Sequence, residues 1–559
     1  MDKDYDVLVI GSGFGGAITA CRLAQAGRSV CLLEKGRRWD RLDFPRAPGQ
    51  VAERTIRSTG PHGPGDGFIE YHSFRTMDVV QGCGVGGGSL HYFNVHLRPP
   101  PFIFDRPGWP RRLDAQRLRP YFALAADMLG AKALTAGSPR GLPDRTRVFE
   151  DAVVSIGRQP DRVPICVRTG DRDGLPGCEY CGNCLLGCHV HAKNTLDLNY
   201  IPMAEQMGAE VKAEHQAVNI TPLSQGYRVT CVDLAAGAAA DGAPALRHLV
   251  ARRVILAAGT LGTNALLLRC KHQYRTLPRL SPRLGQGFSG NGDFIFAGSR
   301  YQSRVVDPGR GPSITAGVGF RREPDQFIYI EDLGYPDPFI WYFNGAIPTR
   351  GRASRLLRQA RRYLSDAFGG GLTFELDELL EAGYLTHFLP YLGMGTDAAN
   401  GRLLLNRRGG LELRWPVRKS QPMFRDMIGH MQALSRASGG RFVNSFLWRS
   451  PLLGLPLRKT LTAHPLGGCA LSESPLTGVT NEFGEVWGYP GLYVADGALV
   501  PAALGVNPSA TISALAERVA FHLIHRRDLR EGDTRTPANR VATASADQAE
   551  VHLAAMTGN

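Results

Sequence analysis

Between Tyr5 and Glu34 the chain reads as strand, glycine turn, helix, strand and acid, an order that very few folds accommodate. Residues 5–10 (YDVLVI) form a short apolar β run, and Gly11-Ser12-Gly13-Phe14-Gly15-Gly16 follows at once. Residues 17–26 are helical in composition, Gly27 ends them, and residues 29–33 read as a second strand with Glu34 at its tip. The whole spans about 30 residues, the length of a dinucleotide-binding unit. In that geometry Gly11 permits the tight turn and Gly13 leaves room for a pyrophosphate against the backbone, with Phe14 beside it. Gly16 lets the helix lie close to the sheet with its N-terminus toward the phosphate. A carboxylate at Glu34 can accept from both ribose hydroxyls and would repel a 2′-phosphate, which argues against NADP.

Further glycine-bearing segments point to the same ligand. Residues 82–89 (GCGVGGGS), with Gly86, Gly87 and Ser89, carry more glycine than a surface turn needs. They would let backbone N–H groups line a phosphate or a flavin edge. Residues 252–258 (RRVILAA) form another apolar strand, and Gly259-Thr260-Leu261-Gly262-Thr263 opens a helix behind it. Residues 491–495 are a strand that ends in Asp496-Gly497. The expected fold is α/β: a Rossmann-like domain assembled from the discontinuous segments 1–100, 195–278 and 456–529. A second, α+β domain with an antiparallel sheet, over 101–194 and 279–455, would face the substrate.

Near the C-terminus His464 stands in Thr-Ala-His-Pro-Leu-Gly-Gly, a turn rather than an apolar face, and Asn507 stands in Gly-Val-Asn-Pro ahead of a helix over 512–521. An imidazole and a side-chain amide can together hold one alcohol hydroxyl. Equally, His464 could brace its own turn and Asn507 could cap its helix; the spacing alone does not pair them.

Composition narrows the class. The formal net charge is +14, yet no basic stripe interleaved with aromatics tracks nucleic acid. A scattered basic surface, an acidic partner or an anionic membrane surface stay open. The first residues resemble no signal peptide and no apolar run is long enough to span a bilayer, so a cytoplasmic setting is expected. A basic amphipathic stretch at 354–364 beside an apolar one at 372–392, predicted helical, could cover a pocket as a lid around 351–395, rest on a lipid surface, or pack on the core. Residues 530–559 read as a loosely ordered tail.

Cys178, Cys181, Cys184 and Cys188 have the spacing C-x2-C-x2-C-x3-C, with His189 where a ferredoxin run carries proline. Four thiolates so spaced could hold a single iron–sulfur cluster or a zinc ion. Four reduced or disulfide-prone loop cysteines fit the same string.

Taken together, these strings resemble the glucose–methanol–choline (GMC) family of flavoprotein oxidoreductases, and within it the bacterial, mycobacterial-type cholesterol oxidase group, up to about residue 529. The resemblance implies FAD as cofactor, bound by the first glycine turn with Glu34, by Gly84-Val-Gly-Gly-Gly-Ser89 and by Asp496-Gly497, with Asn94 near the isoalloxazine. It implies that His464 and Asn507 hold the substrate hydroxyl. Glu331, in the predicted strand 327–332 (FIYIED), matches the glutamate that moves the Δ5 double bond to Δ4; a plain structural carboxylate fits there too. The implied activity is oxidation of a sterol 3β-hydroxyl, with electrons passing to O2 or another acceptor. A dehydrogenase for another bulky apolar alcohol, emptied through an iron–sulfur cluster, and a flavin-binding redox carrier satisfy the same residues.

Overall fold

The structure, a computed structural model, describes residues 4–57, 67–172, 174–236, 244–301, 304–322, 326–336, 385–445, 447–448 and 459–529. The stretch 354–364, most of the expected lid and the tail 530–559 lie outside them.

The apolar N-terminal run becomes the strand Asp4–Ile10 at the centre of a seven-stranded sheet. Val30–Leu33 lies parallel on one side of it and Leu246–Leu256 parallel on the other. The long strand Leu246–Leu256 then divides its free edge. Its first half pairs antiparallel with Tyr227–Asp233, and its last three residues pair parallel with Leu492–Val494. The parallel strands, drawn from segments more than two hundred residues apart, thus end side by side with their C-terminal tips at one end. In doubly wound sheets that end is where ligands bind. The first helix, Phe14–Gln25, packs against the last, Ser509–His525. Arg22 Nε donates to Glu517 at 2.8 Å across that contact, and Tyr200 Oη donates to the same carboxylate at 2.8 Å.

A second sheet of six strands is antiparallel throughout, in the order Arg441–Val443, Phe294–Arg300, Phe388–Gly395, Gln326–Asp332, Ala316–Arg322 and Asp161–Arg162. The helix Gln421–Ala437 lies across it. Phe388 and Leu389, which the sequence places on an apolar helix and at the end of a lid, belong here to a central strand that is buried along its whole length. The reason is physical: an apolar run buried on both faces has no alternation, so its periodicity cannot separate strand from helix.

Two small sheets connect these bodies. Gln286–Ser289 pairs with Leu466–Gly468, which begins two residues after His464. Thr460–Thr462 pairs in parallel with Met77–Gly82, the strand that leads into the second glycine run. The His464 turn is therefore fixed from both sides by backbone pairing. Among the described residues no helix is long and apolar enough to cross a membrane.

Among the described glycines the tightest position is Gly16, where an added Cβ would lie 1.8 Å from the Gly11 carbonyl oxygen. Backbone cannot yield as a flexible side chain can. Gly16→Ala should cost at least about 2 kcal/mol, read as a lower thermal midpoint and loss of the bound dinucleotide from the purified protein.

Candidate active site

Three glycine-bearing turns meet around Glu34. Its Oε2 accepts from the Ser12 amide at 3.0 Å and the Ser12 hydroxyl at 2.7 Å, and its Oε1 accepts from the amides of Gly36 at 2.8 Å and Gly84 at 3.2 Å. Those four donors fill a carboxylate's acceptor sites. The Ser12 hydroxyl is the exchangeable one, because it also reaches the Gly84 carbonyl at 3.1 Å. Gly13, at the N-cap of the first helix, faces Gly87, where an added Cβ would fall 2.5 Å from the Gly13 Cα. Gly11 precedes this turn, Phe14 follows it with its ring edge-on to Tyr92, and Gly86 leads into the turn that Ser89 closes through its 2.7 Å bond to the Gly86 carbonyl.

Gly259 opens the helix Gly259–Leu268. Asp496 accepts from Thr263 Oγ1 at 2.5 Å on that helix and from the Ala498 amide at 2.9 Å, and burial pushes its carboxyl up to about 6. Gly497 lies against Thr260, whose hydroxyl donates to the Pro465 carbonyl at 2.6 Å. The turn that carries His464 is thereby tied to the dinucleotide sheet.

On the other side, Glu331 and Asn507 come together across 176 residues: Asn507 Nδ2 donates to Glu331 Oε2 at 3.3 Å. Both are buried, and Glu331 Oε1 and Asn507 Oδ1 have no hydrogen-bond partner. Burial holds the Glu331 carboxyl well above its ordinary range, and the nearby Asp332 and Asp293 push the same way. His464 Nδ1 stands 2.9 Å from Asp293 Oδ1.

Sequence reasoning missed the segment that organises both halves, 289–293 (SGNGD). Asn291 Oδ1 accepts from the amides of Leu504 and Gly505 at 2.9 and 3.0 Å, and its Nδ2 donates to the Val506 carbonyl at 2.8 Å. It thus holds the loop that presents Asn507, while Asp293 holds the turn that presents His464. The only local signal is an Asn-Gly pair suited to the left-handed backbone, which Asn291 adopts at φ 55°. His91 was missed as well. It is buried, its Nε2 has no partner, and its imidazole is pushed down to about 3 by burial and by the neighbouring Lys193 and His464.

The structure gives no support to a metal ion or cluster at the cysteine run. Cys178, Cys181, Cys184 and Cys188 are free and partly buried, and among the described residues no three Cys, His, Asp or Glu side chains are gathered to hold an ion. Burial pushes the Cys178 and Cys181 thiols up, and the neighbouring cysteines push the same way. The loop is spent on other contacts. Cys184 Sγ accepts from Asn94 Nδ2 at 3.1 Å, its carbonyl accepts from Lys193 Nζ at 2.8 Å, and His189 pairs with Glu179 at 3.1 Å.

Comparison with known proteins accounts for this arrangement. The family models of GMC oxidoreductases match residues 5–276 and 456–516. The chain belongs to the GMC oxidoreductase family. It is 30% identical to a cholesterol oxidase of Acinetobacter baumannii, over 97% of this chain and 98% of that one. It is also 30% identical to a cholesterol oxidase of Mycobacterium tuberculosis, over 93% and 91%. Among solved structures, pyridoxine 4-oxidase from Mesorbium loti shares the fold with a TM-score of 0.58 at 16% identity, over 93% of this chain and 99% of that one.

GMC oxidoreductases bind FAD, and the residues present fit it. Buried polar atoms need partners, and those without one include Asn94 Oδ1, Asp197 Oδ1, His91 Nε2, Asn507 Oδ1 and Glu331 Oε1. Asp197 faces Gly86, and His91 is close to Gly88. These atoms border the second glycine run and the two loops that Asn291 and Asp293 hold.

The raised Glu331 carboxyl has a stability consequence. Above the ordinary carboxyl range an unfolded Glu331 is ionised while the folded one keeps its proton, so the native state binds more protons and stability falls as pH rises. Glu331→Gln removes that dependence. Between mildly acidic and mildly alkaline pH the thermal midpoint of the wild type should drop further than that of the variant, measured at one scan rate.

Proposed function

We propose that this GMC oxidoreductase oxidises the 3β-hydroxyl of a sterol such as cholesterol to the ketone and then moves the Δ5 double bond to Δ4. Two cholesterol oxidases matched over nearly the full length support the substrate class. The observation that carries the second step is Glu331: a buried carboxyl, bonded to Asn507 on the loop next to the flavin segments, that simple alcohol oxidation does not need.

FAD, held by the Glu34, Gly13–Gly87 and Asp496 segments, supplies the hydride acceptor when bound. His464 takes the hydroxyl proton as the carbon gives up its hydride. Asn507 donates one N–H to Glu331 and has a second to offer the alcohol oxygen, which steadies the hydroxyl for that loss. Once the 3-ketone has formed, the adjoining C4–H is acidified. Glu331 first releases its own proton to solvent; the carboxylate then removes a C4 proton and returns it at C6, so the shift of the double bond itself involves no net gain or loss of protons. A carboxyl that holds its proton tightly is, once ionised, a strong base suited to that step.

Anaerobic addition of cholesterol to the purified flavoprotein should bleach the flavin and yield the conjugated ketone. Readmission of air then reports whether O2 is the electron acceptor. Glu331→Gln should still bleach the flavin but release the Δ5 ketone, seen by chromatography and by loss of the conjugated-enone absorbance. His464→Ala should slow bleaching by about 10²–10⁴-fold. Failure of cholesterol to bleach the wild-type flavin would overturn the sterol reading, and a conjugated product from Glu331→Gln would overturn the role of Glu331.

A further inference from the structure

Asp293 is built to do one thing to His464. Its carboxylate is almost fully buried, and both oxygens are committed to three consecutive residues. Oδ2 accepts from Thr462 Oγ1 at 2.9 Å and the Ala463 amide at 3.0 Å, and Oδ1 meets His464 Nδ1 at 2.9 Å. The His464 amide donates in turn to Thr462 Oγ1 at 2.9 Å, so the backbone of the turn is locked to the same network. Asp293 itself cannot drift, because Asp397 accepts from the amides of Gly290 and Gly292 at 3.1 and 3.3 Å and from the Ser289 hydroxyl at 2.7 Å.

A carboxylate only accepts. An imidazole nitrogen held against it must carry the hydrogen, and a neutral imidazole then keeps its lone pair on the other nitrogen. From these contacts we infer that Asp293 is a positioning residue: it holds His464 in the tautomer protonated at Nδ1, so that Nε2 receives the substrate's hydroxyl proton, and it stabilises the imidazolium that results. The inference rests on the proposed alcohol oxidation for its chemical meaning, but the tautomer is a property of the resting protein.

The other groups around His464 are consistent with this assignment. His91 faces it but is held neutral by burial and by Lys193, so it neither competes for the proton nor opposes the new charge. Glu331 keeps its own proton and so adds no second negative charge near Asp293.

The test uses the flavoprotein labelled with ¹⁵N-histidine, the His464 signals being assigned by their loss in His464→Gln. The wild type should show a protonated Nδ1 and a bare Nε2 at His464. In Asp293→Asn the amide can donate to Nδ1, and the hydrogen should move to Nε2. With an alcohol that bleaches the wild-type flavin, Asp293→Asn should retain FAD and alcohol affinity, while the rate of anaerobic bleaching falls by about 10³–10⁴-fold, as when other carboxylates behind a catalytic histidine become amides. The solvent deuterium isotope effect on that rate should grow, because removal of the hydroxyl proton becomes limiting; a merely structural role would leave it unmoved. An imidazolium or a bare Nδ1 at His464 in the resting wild type would overturn the inference, as would bleaching by Asp293→Asn at the wild-type rate. If Asp293→Asn does not fold, the wild-type tautomer decides. If no alcohol bleaches the wild-type flavin, the proposed function fails and the nitrogen signals still decide the role of Asp293.

Discussion

Everything at the substrate end of this protein hangs on one buried carboxylate, Asp397. Its two oxygens hold the Ser289 hydroxyl and the amides of Gly290, Gly292 and Ala399. The segment so fixed extends Asn291 one way, to the loop with Asn507, and Asp293 the other, to the turn with His464. A buried hydrogen bond contributes only about 0.5–1.5 kcal/mol, but leaving one partner unsatisfied costs about 1–3 kcal/mol. The network is therefore close to all-or-none, and that property converts two loops far apart in the chain into one rigid pair.

The cofactor end is organised in the same way around Glu34, where amides from the first glycine turn, the end of the second strand and the second glycine run converge. The direct contact of Gly13 with Gly87 sets how near those runs approach. At both ends backbone amides gather on a buried carboxylate, which needs no long side chains and leaves the space between open to a ligand. The small sheet that pairs Thr460–Thr462 with Met77–Gly82 joins the two ends, so the His464 turn cannot shift without disturbing the glycine run.

What was legible in the sequence was local. A strand, a glycine turn and a helix announce themselves within a few turns of chain, and the sheet built from segments around Tyr5, Arg252 and Leu492 appears as expected. The meeting of Glu331 with Asn507 was not readable from spacing, because 176 residues separate them and each stands in an ordinary local context. Resemblance supplied those names; it did not supply Asp293 or Asn291, whose partners are also distant and whose own string looks like any glycine-rich turn. The cysteines show the opposite case. Their spacing is regular enough to suggest a ligand set, yet the fold uses that loop to hold Asn94 and Lys193. Phe388–Gly395 shows the remaining limit, since a strand covered on both faces leaves no periodic trace.

The electrostatics of the enclosed site follow from the same economy of charge. Isolated charges are costly to bury, so a buried group far from a counter-ion gives up its ionisation. Glu331 and His91 both respond in this way, one by keeping its proton and the other by refusing one. In the proposed oxidation, an alcohol proton taken by His464 would place the new positive charge against a carboxylate group already in place, at 2.9 Å and fixed by its other bonds. No reorganisation is needed at that moment, which is the condition under which electrostatic stabilisation speeds a reaction most. In the proposed oxidation a cationic His91 would oppose that new charge, so its suppression is part of how the pair at Asp293 would function.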